Sequence, residues 1–222
     1  MRFRRVPAGA NAVAEIAFTD RDDGDFHVDR AHDDLRHQVF DGSWTWLRQV
    51  HGSRVAVVDH PGARAGDEAD ASVTGSFGAV LCVQTADCVP VVLVGDGVVG
   101  VAHAGWRGLV EGVLSNAVEA VAALGGGSPS AMIGPCIRAM SYPFGEADLA
   151  RVEAAVGGSV RSTTASGMLA LDMVAAASCA LAAAGVGHID DLGIDTADDM
   201  YFSHRVRRDE GRQITAVRMV SS

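Results

Sequence analysis

Three residues of this chain have side chains that could share one metal ion or run acid–base chemistry on a nucleophile: His51 in QVHG, Cys88 in ADC and His103 in AHAGWRG. One thiolate and two imidazoles make a three-ligand zinc set. A fourth position left to water or substrate is what separates a catalytic zinc from a structural one. Zinc held in that way lowers the pKa of its water to about 7, so hydroxide is at hand at neutral pH. Without a metal, Cys88 and His103 read instead as a nucleophile and its base. A lone histidine is more often a surface or hydrogen-bonded core residue than a ligand, so the weight rests on the Cys88/His103 pair.

The elements around that pair must position it. Val89 to Val94 and Val98 to Ala102 are largely β-branched runs on either side of Gly95-Asp96-Gly97, the pattern of a β-hairpin. A two-residue turn at Gly95-Asp96 sets Cys88 directly across from His103, with Cβ atoms roughly 4.5–5.5 Å apart. A three-residue turn about Asp96 sends the two side chains to opposite faces. The expectation is therefore one shared face, with His51 arriving from a separate turn to complete the site.

Other residues near the hairpin carry two readings each. Asp87 is either an acceptor for a ligand histidine's free ring N–H or a strand-edge solubiliser. Gly105-Trp106-Arg107-Gly108 leads into a helix N-terminus, where free backbone N–H groups favour anions. Arg107 is thus a candidate for holding phosphate or carboxylate, against the plain alternative of a solvated arginine. His27, His32, His37, His60 and His188 lie in polar stretches and read as surface residues, whereas His204 in YFSHR is ambiguous. Of the four cysteines, Cys82, Cys136 and Cys179 sit in apolar contexts that suit buried, reduced thiols.

The rest of the chain reads as α/β. Ala12 to Phe18 is a first strand, and Val28 to Phe40 is amphipathic and helical. Thr45 to Val50 and Arg54 to Val58 read as two strands joined by a tight turn at His51-Gly52-Ser53. Ala71 to Thr74 and Ala79 to Gln84 are strands leading into the hairpin, and Ala131 to Ile133 and Ile214 to Val220 are later ones. One helix follows Trp106 and ends at Gly125-Gly126-Gly127; Gly145 to Val156 and Leu171 to Ala184 are two more. Strands cluster rather than alternate strictly with helices, which favours α+β packing with mixed sheets in a single domain over residues 1–222.

Composition bounds the function. A net charge of −10 and a pI near 5.1 oppose a general nucleic-acid or anionic-membrane surface, both of which need a basic field. The first residues lack an unbroken apolar core, and no apolar run approaches the roughly 20 residues of a membrane span. A cytoplasmic monomer acting on a small molecule is the expectation.

QVHG, DASVT, TADCVPV, VGVAHAGWRGLVEGV, MIGPCI, and FSHR with RRDEGR after it resemble the YfiH family. That family is also called the laccase-domain or multicopper polyphenol oxidase family, and its mammalian member is FAMIN. The resemblance runs from about Thr45 to the C-terminus; Thr19-Asp20-Arg21 with Gly24 is similar to a degraded form of the family's Arg-Gly-Gly stretch. It implies a single domain of mixed β-sheets layered by helices, related to the cysteine-hydrolase fold of the cytotoxic necrotizing factor toxin. It also implies zinc on His51, Cys88 and His103, and activity as a purine nucleoside phosphorylase and adenosine deaminase. On that reading Arg107 takes the phosphate, Tyr201 or Phe202 stacks on the purine, and His204 joins the substrate site. Two departures touch the substrate loops: Ser141-Tyr142-Pro143 stands where the family often has Cys-Tyr-Glu, and Asp195-Thr196 where it often has Cys-Thr.

Three alternatives stay open. A copper-dependent polyphenol oxidase would suit copper's high affinity for such ligands, but multicopper oxidases draw on more histidines than the eight present. A metal-independent cysteine hydrolase would act on an amide such as a peptidoglycan precursor. A non-catalytic, zinc-stabilised binding domain is the third.

Overall fold

The run Val89–Gly95 is buried at every residue, which requires cover on both faces of its sheet. A computed structural model, describing residues 1–30 and 33–222, supplies that cover. In chain order the strands are β1 Arg2–Pro7, β2 Ala12–Phe18, β3 Ser43–Thr45, β4 Val55–Val57, β5 Ala71–Thr74, β6 Ala79–Thr85 and β7 Val89–Gly95. They continue with β8 Val98–Ala104, β9 Ser130–Ile133, β10 Arg161–Thr163, β11 Leu169–Leu171, β12 Ile189–Asp191 and β13 Gln213–Ser221. The helices are α1 Asp33–His37, α2 Trp106–Glu111, α3 Val113–Ala123, α4 Glu146–Val156, α5 Met173–Ala183 and α6 His204–Arg207.

Two mixed sheets dominate. One has the order β1-β2-β13-β6-β3 and the other β12-β9-β7-β8-β5-β4, with β10 and β11 forming a small separate pair. The alternation of β7 shows how the layers stack. Val89, Val91 and Leu93 pack with Leu109, Leu114, Val121 and Leu181 in a core under the helices. Val92 and Val94 face the other way and pack with Leu81, Val83 and Val217 of the five-stranded sheet. Each such fully buried Val or Leu stabilises the fold by about 1.5–3 kcal/mol. A third cluster, including Phe26, Val39, Phe40, Trp44 and Cys82, covers the five-stranded sheet's outer face. The expected α/β class with mixed sheets and helical layers is what the chain adopts. No helix among the described residues is long and apolar enough to cross a membrane.

Three local expectations change. The hairpin turn is Asp96-Gly97 rather than Gly95-Asp96, because Gly95 still pairs with Val98 as the last residue of β7. Gly95 is small for another reason: a Cβ there would lie 2.5 Å from the Gly126 carbonyl oxygen. His103 therefore pairs with Pro90, not Cys88. Cys88 lies two residues before Pro90, so it keeps the face on which His103 stands. The segments flanking His51 are not a hairpin: β3 pairs with β6 in one sheet and β4 with β5 in the other, so the loop between them bridges the two sheets. The helix after Trp106 is broken at Gly112 into α2 and α3. Strand β1, an added edge on β2, escapes the sequence pattern because arginines fill its exposed positions. The expected helix over Val28 to Phe40 shrinks to α1, with residues 31 and 32, including the His32 assigned to the surface, outside the described residues.

Candidate metal and substrate site

Cys88 and His103 face the seam between the two sheets, on the side of β7 and β8 that carries Val92, Val94, Val99 and Val101. Where that apolar seam ends, a cavity of about 480 Å³ opens. His51 reaches it from the bridging loop. The metal-capable atoms of His51, Cys88 and His103 all lie within 4.8 Å of one another. His51 Nε2 is 3.8 Å from Cys88 Sγ, and the two imidazole rings are 4.8 Å apart, edge to face. Tetrahedral zinc with its usual bond lengths sets ligand atoms about 3.4–3.6 Å apart. These three residues fit such an ion with only small side-chain adjustment. Among the described residues they are the one group of His, Cys, Asp and Glu placed to do so.

Asp70 builds the site and was not singled out from the sequence. Its fully buried carboxylate accepts from His103 Nδ1 at 2.8 Å and from the backbone N–H groups of Val50, His51 and Gly52 at 3.1, 2.9 and 2.8 Å. One side chain thus orients His103 through Nδ1, leaving Nε2 available to a metal, and folds the loop that delivers His51. His51 itself sits at φ 59, a left-handed conformation that such a loop must hold in place. Burial pushes the Asp70 carboxyl up, but His103 and the Gly52 and Val50 amides outweigh it and hold its pKa below the usual range. In the sequence it shows only as the acidic residue that opens the DASVT stretch, just ahead of an apolar strand.

Gly105 explains part of the AHAGWRG stretch. A Cβ there would lie 2.7 Å from the His51 ring and 3.3 Å from Cys88 Sγ. The glycine leaves room for His51 and Cys88 to meet.

Burial pushes the Cys88 thiol up, yet the charge of His103 and hydrogen bonds with both imidazoles bring it down to about 6. His103 moves the opposite way. Burial lowers it, while the Cys88 thiolate and Asp70 raise it to about 9. The metal-free pair is therefore a thiolate beside an imidazolium at neutral pH. Cys82 and Cys136, with no such neighbour, are pushed up to about 12 by burial. Those two are buried free thiols, as expected, while Cys179 is half-buried.

Asp87 plays neither role expected of it. It is buried at φ 106, and its carboxylate accepts from Thr196 Oγ1, Ser203 Oγ and the Arg205 N–H at 2.9, 2.6 and 2.6 Å. These bonds tie the C-terminal segment down beside Cys88. A strained, non-glycine backbone of this kind costs about 1–3 kcal/mol and persists where its surroundings hold it.

Arg107 and His204 both line the cavity and are exposed. The Arg107 guanidinium lies 4.5 Å over Trp106. Arg205, unnoticed in the sequence, lines the same cavity and lies 4.5 Å over Tyr142. Trp106 and Tyr142 both pack on Phe144, with ring centroids 5.6 and 5.3 Å from it, so the two arginines cap one aromatic ledge. Tyr201 and Phe202 do not line the cavity. Both are buried, and the face of Phe202 is covered by Arg21 at 4.5 Å. His27 is half-buried and lines the cavity instead of standing free on the surface, while His37, His60 and His188 are exposed.

Comparison with known proteins agrees with this architecture. The family model described as multi-copper polyphenol oxidoreductase laccase matches residues 6–220. A Mycobacterium tuberculosis protein named purine nucleoside phosphorylase is 41% identical over 180 residues, 78% of this chain and 71% of the relative. A Streptomyces griseus protein of the same name is 46% identical over 176 residues, 75% of this chain and 70% of the relative. Among solved structures, YlmD from Geobacillus stearothermophilus superposes with a TM-score of 0.78 at 25% identity, covering 96% of this chain and 93% of that one. Neisseria meningitidis NMB0706 superposes with a TM-score of 0.76 at 26% identity, covering 98% and 99%. With a family match over nearly its whole length and relatives above 40% identity, this chain belongs to the multi-copper polyphenol oxidoreductase laccase (YfiH-type) family.

Proposed function

We infer that the chain is a zinc-dependent purine nucleoside enzyme that cleaves inosine and adenosine with phosphate and also deaminates adenosine. The observation that carries the reading is the pairing of two exposed arginines, Arg107 and Arg205, with a metal-capable trio in one cavity. Among the described residues, neither the Arg107 nor the Arg205 guanidinium pairs with a carboxylate, the Arg205 guanidinium donating only to the Pro143 carbonyl, although the chain as a whole carries a charge of −10. Guanidinium groups free of such partners suit a phosphate. The relatives' name points to the same substrates.

In phosphorolysis a phosphate oxygen forms a bond to the ribose C1′, the C1′–N9 bond breaks, and the base leaves with the electron pair and gains a proton. Arg107 and Arg205 hold the phosphate, and the aromatic ledge beneath them keeps both guanidinium planes in place. Asp70 fixes His103 and the His51 loop, so the trio meets the substrate preorganised. Zinc, when bound on His51, Cys88 and His103, supplies Lewis-acid polarisation. The test is phosphate-dependent release of hypoxanthine and ribose 1-phosphate from inosine by zinc-loaded protein, lost on chelation and regained with zinc.

A second reading rests on the Cys88 thiol near 6 beside a protonated His103: a metal-free cysteine hydrolase. It predicts amide hydrolysis that survives chelation. A multicopper oxidase finds less support, since one group of three ligands is far from a multicopper centre.

A further inference from the structure

The cavity has a second wall, and one atom on it stands out. Thr85, the last residue of β6, lines the cavity at 2% exposure, and its Oγ1 is buried with no hydrogen-bond partner. Buried hydroxyls without partners are uncommon in folded proteins and call for an explanation. The other such atom, Ser72 Oγ, does not line the cavity.

Its direction follows from the strand's alternation. Ala79, Leu81 and Val83 of β6 face the seam between the sheets, so Thr85 faces it too, at the end where the seam opens. Cys88 and His103 approach the same space from the other sheet. The nearby polar groups are spoken for. The Gln213 carboxamide exchanges both its bonds with the Phe202 backbone. The Gln49 carboxamide does the same with the Gln84 backbone. Gln84 Oε1 accepts from the Val28 N–H, which leaves the Gln84 NH₂ as a donor on this wall.

We propose that Thr85 Oγ1 is the base-reading group of the cavity, hydrogen-bonding the substituent at position 6 of a purine nucleoside. This rests on the nucleoside reading above. An in-line displacement at C1′ puts the attacking phosphate and the departing base on opposite sides of the ribose. If Arg107 and Arg205 hold the phosphate, the base lies toward the wall that they do not form. That wall carries Gln49, Gln84 and Thr85, with the Arg212 guanidinium committed to the carbonyls of Asp209, Glu210 and Gly211, and Thr85 has its one buried side-chain polar atom without a partner among the described residues. A hydroxyl rotor donates to the 6-oxo group of inosine or accepts from the 6-amino group of adenosine. One residue thereby admits both nucleosides.

The test compares zinc-loaded wild-type protein with Thr85→Val, which keeps the shape and removes the hydroxyl, and with Thr85→Ser, which keeps the hydroxyl. Inosine is set against purine riboside, the same nucleoside without a 6-substituent. Thr85→Val is expected to raise KM for inosine about tenfold, as loss of one buried hydrogen bond does. The KM for phosphate, the zinc content and the unfolding temperature should not fall, and Thr85→Ser should restore inosine binding. Purine riboside should bind wild type about as weakly as inosine binds the valine variant, and should not distinguish the two proteins. An unchanged inosine KM in Thr85→Val, or an equal loss for purine riboside, overturns the assignment while the nucleoside reading stands. Absence of nucleoside turnover by wild type overturns both.

Discussion

Cys82 lies within β6 and Cys88 in the connection from β6 to β7, and burial alone would treat them alike. Cys82 packs among Phe40, Trp44 and Ile214, and its thiol is pushed up to about 12. Cys88 faces the seam's open end, where the charge and hydrogen bonds of His103 and His51 reverse the effect of burial and bring it to about 6. The outer face of the five-stranded sheet thus holds an inert thiol, whereas the open end of the seam holds one beside two imidazoles. The difference comes from the bridging loop. Because β3 and β4 belong to different sheets, the segment between them must cross the end of the seam, and it carries His51 there.

The strongest way to break this contrast is to remove each thiol. Cys88→Ala should cut kcat/KM by roughly 10³-fold or more and lower zinc content, with little change in unfolding temperature. Cys82→Ala should instead cost about 1–2 kcal/mol in a denaturant melt and leave kcat/KM within about twofold. Equal activity losses would erase the distinction between the two regions.

Next in size is Asp70→Asn, which keeps the shape but weakens the hold on His103 and on the His51 loop. Zinc affinity, measured by competition with a chromogenic chelator, should fall about 10–100-fold. Wild-type affinity in this variant would mean that the carboxylate only fills space.

A pH profile sharpens the comparison within the metal-free protein. The Cys88 pKa is depressed, so its thiolate is present above about pH 6 and is lost as pH falls through that value. At pH 7 its alkylation by iodoacetamide should run roughly tenfold faster than that of an ordinary thiol. His103→Ala should move the midpoint back up toward the usual thiol range. Peptide mapping that finds Cys82 labelled first would contradict the account.

The smallest effect concerns the cationic ledge. Arg107→Ala should raise KM for phosphate about fivefold while leaving KM for inosine nearly unchanged. A parallel change in both would assign Arg107 to the packing of Trp106.

Much of this was legible in the sequence, for identifiable reasons. The β-branched runs about Gly95-Asp96-Gly97 declared the hairpin, and parity placed Cys88 and His103 on one face even though the turn was misplaced. The misplacement arose because Gly95 is small for the sake of the Gly126 backbone and not for the turn, and composition cannot tell those causes apart. His51 was found as a residue type, but its flanks looked like a hairpin because both carry alternating strand patterns. Only long-range pairing shows that they join different sheets. Asp70, Arg205 and Thr85 lie within the DASVT, FSHR and TADCVPV stretches, but nothing in those stretches assigns them a role, because each acts through partners distant along the chain. Tyr201 and Phe202 are aromatics suited to stacking on a purine, yet both are buried and neither lines the cavity.

The central claim is that zinc on His51, Cys88 and His103 and phosphate on the arginine ledge act in one cavity on a purine nucleoside. Elemental analysis of the purified protein, run beside phosphate-dependent cleavage of inosine, tests it most directly. The account predicts about one zinc per chain, with hypoxanthine released only when zinc and phosphate are both present, and both signals lost in Cys88→Ala. Full zinc occupancy in Cys88→Ala, or inosine cleavage that survives complete removal of the metal, would contradict it.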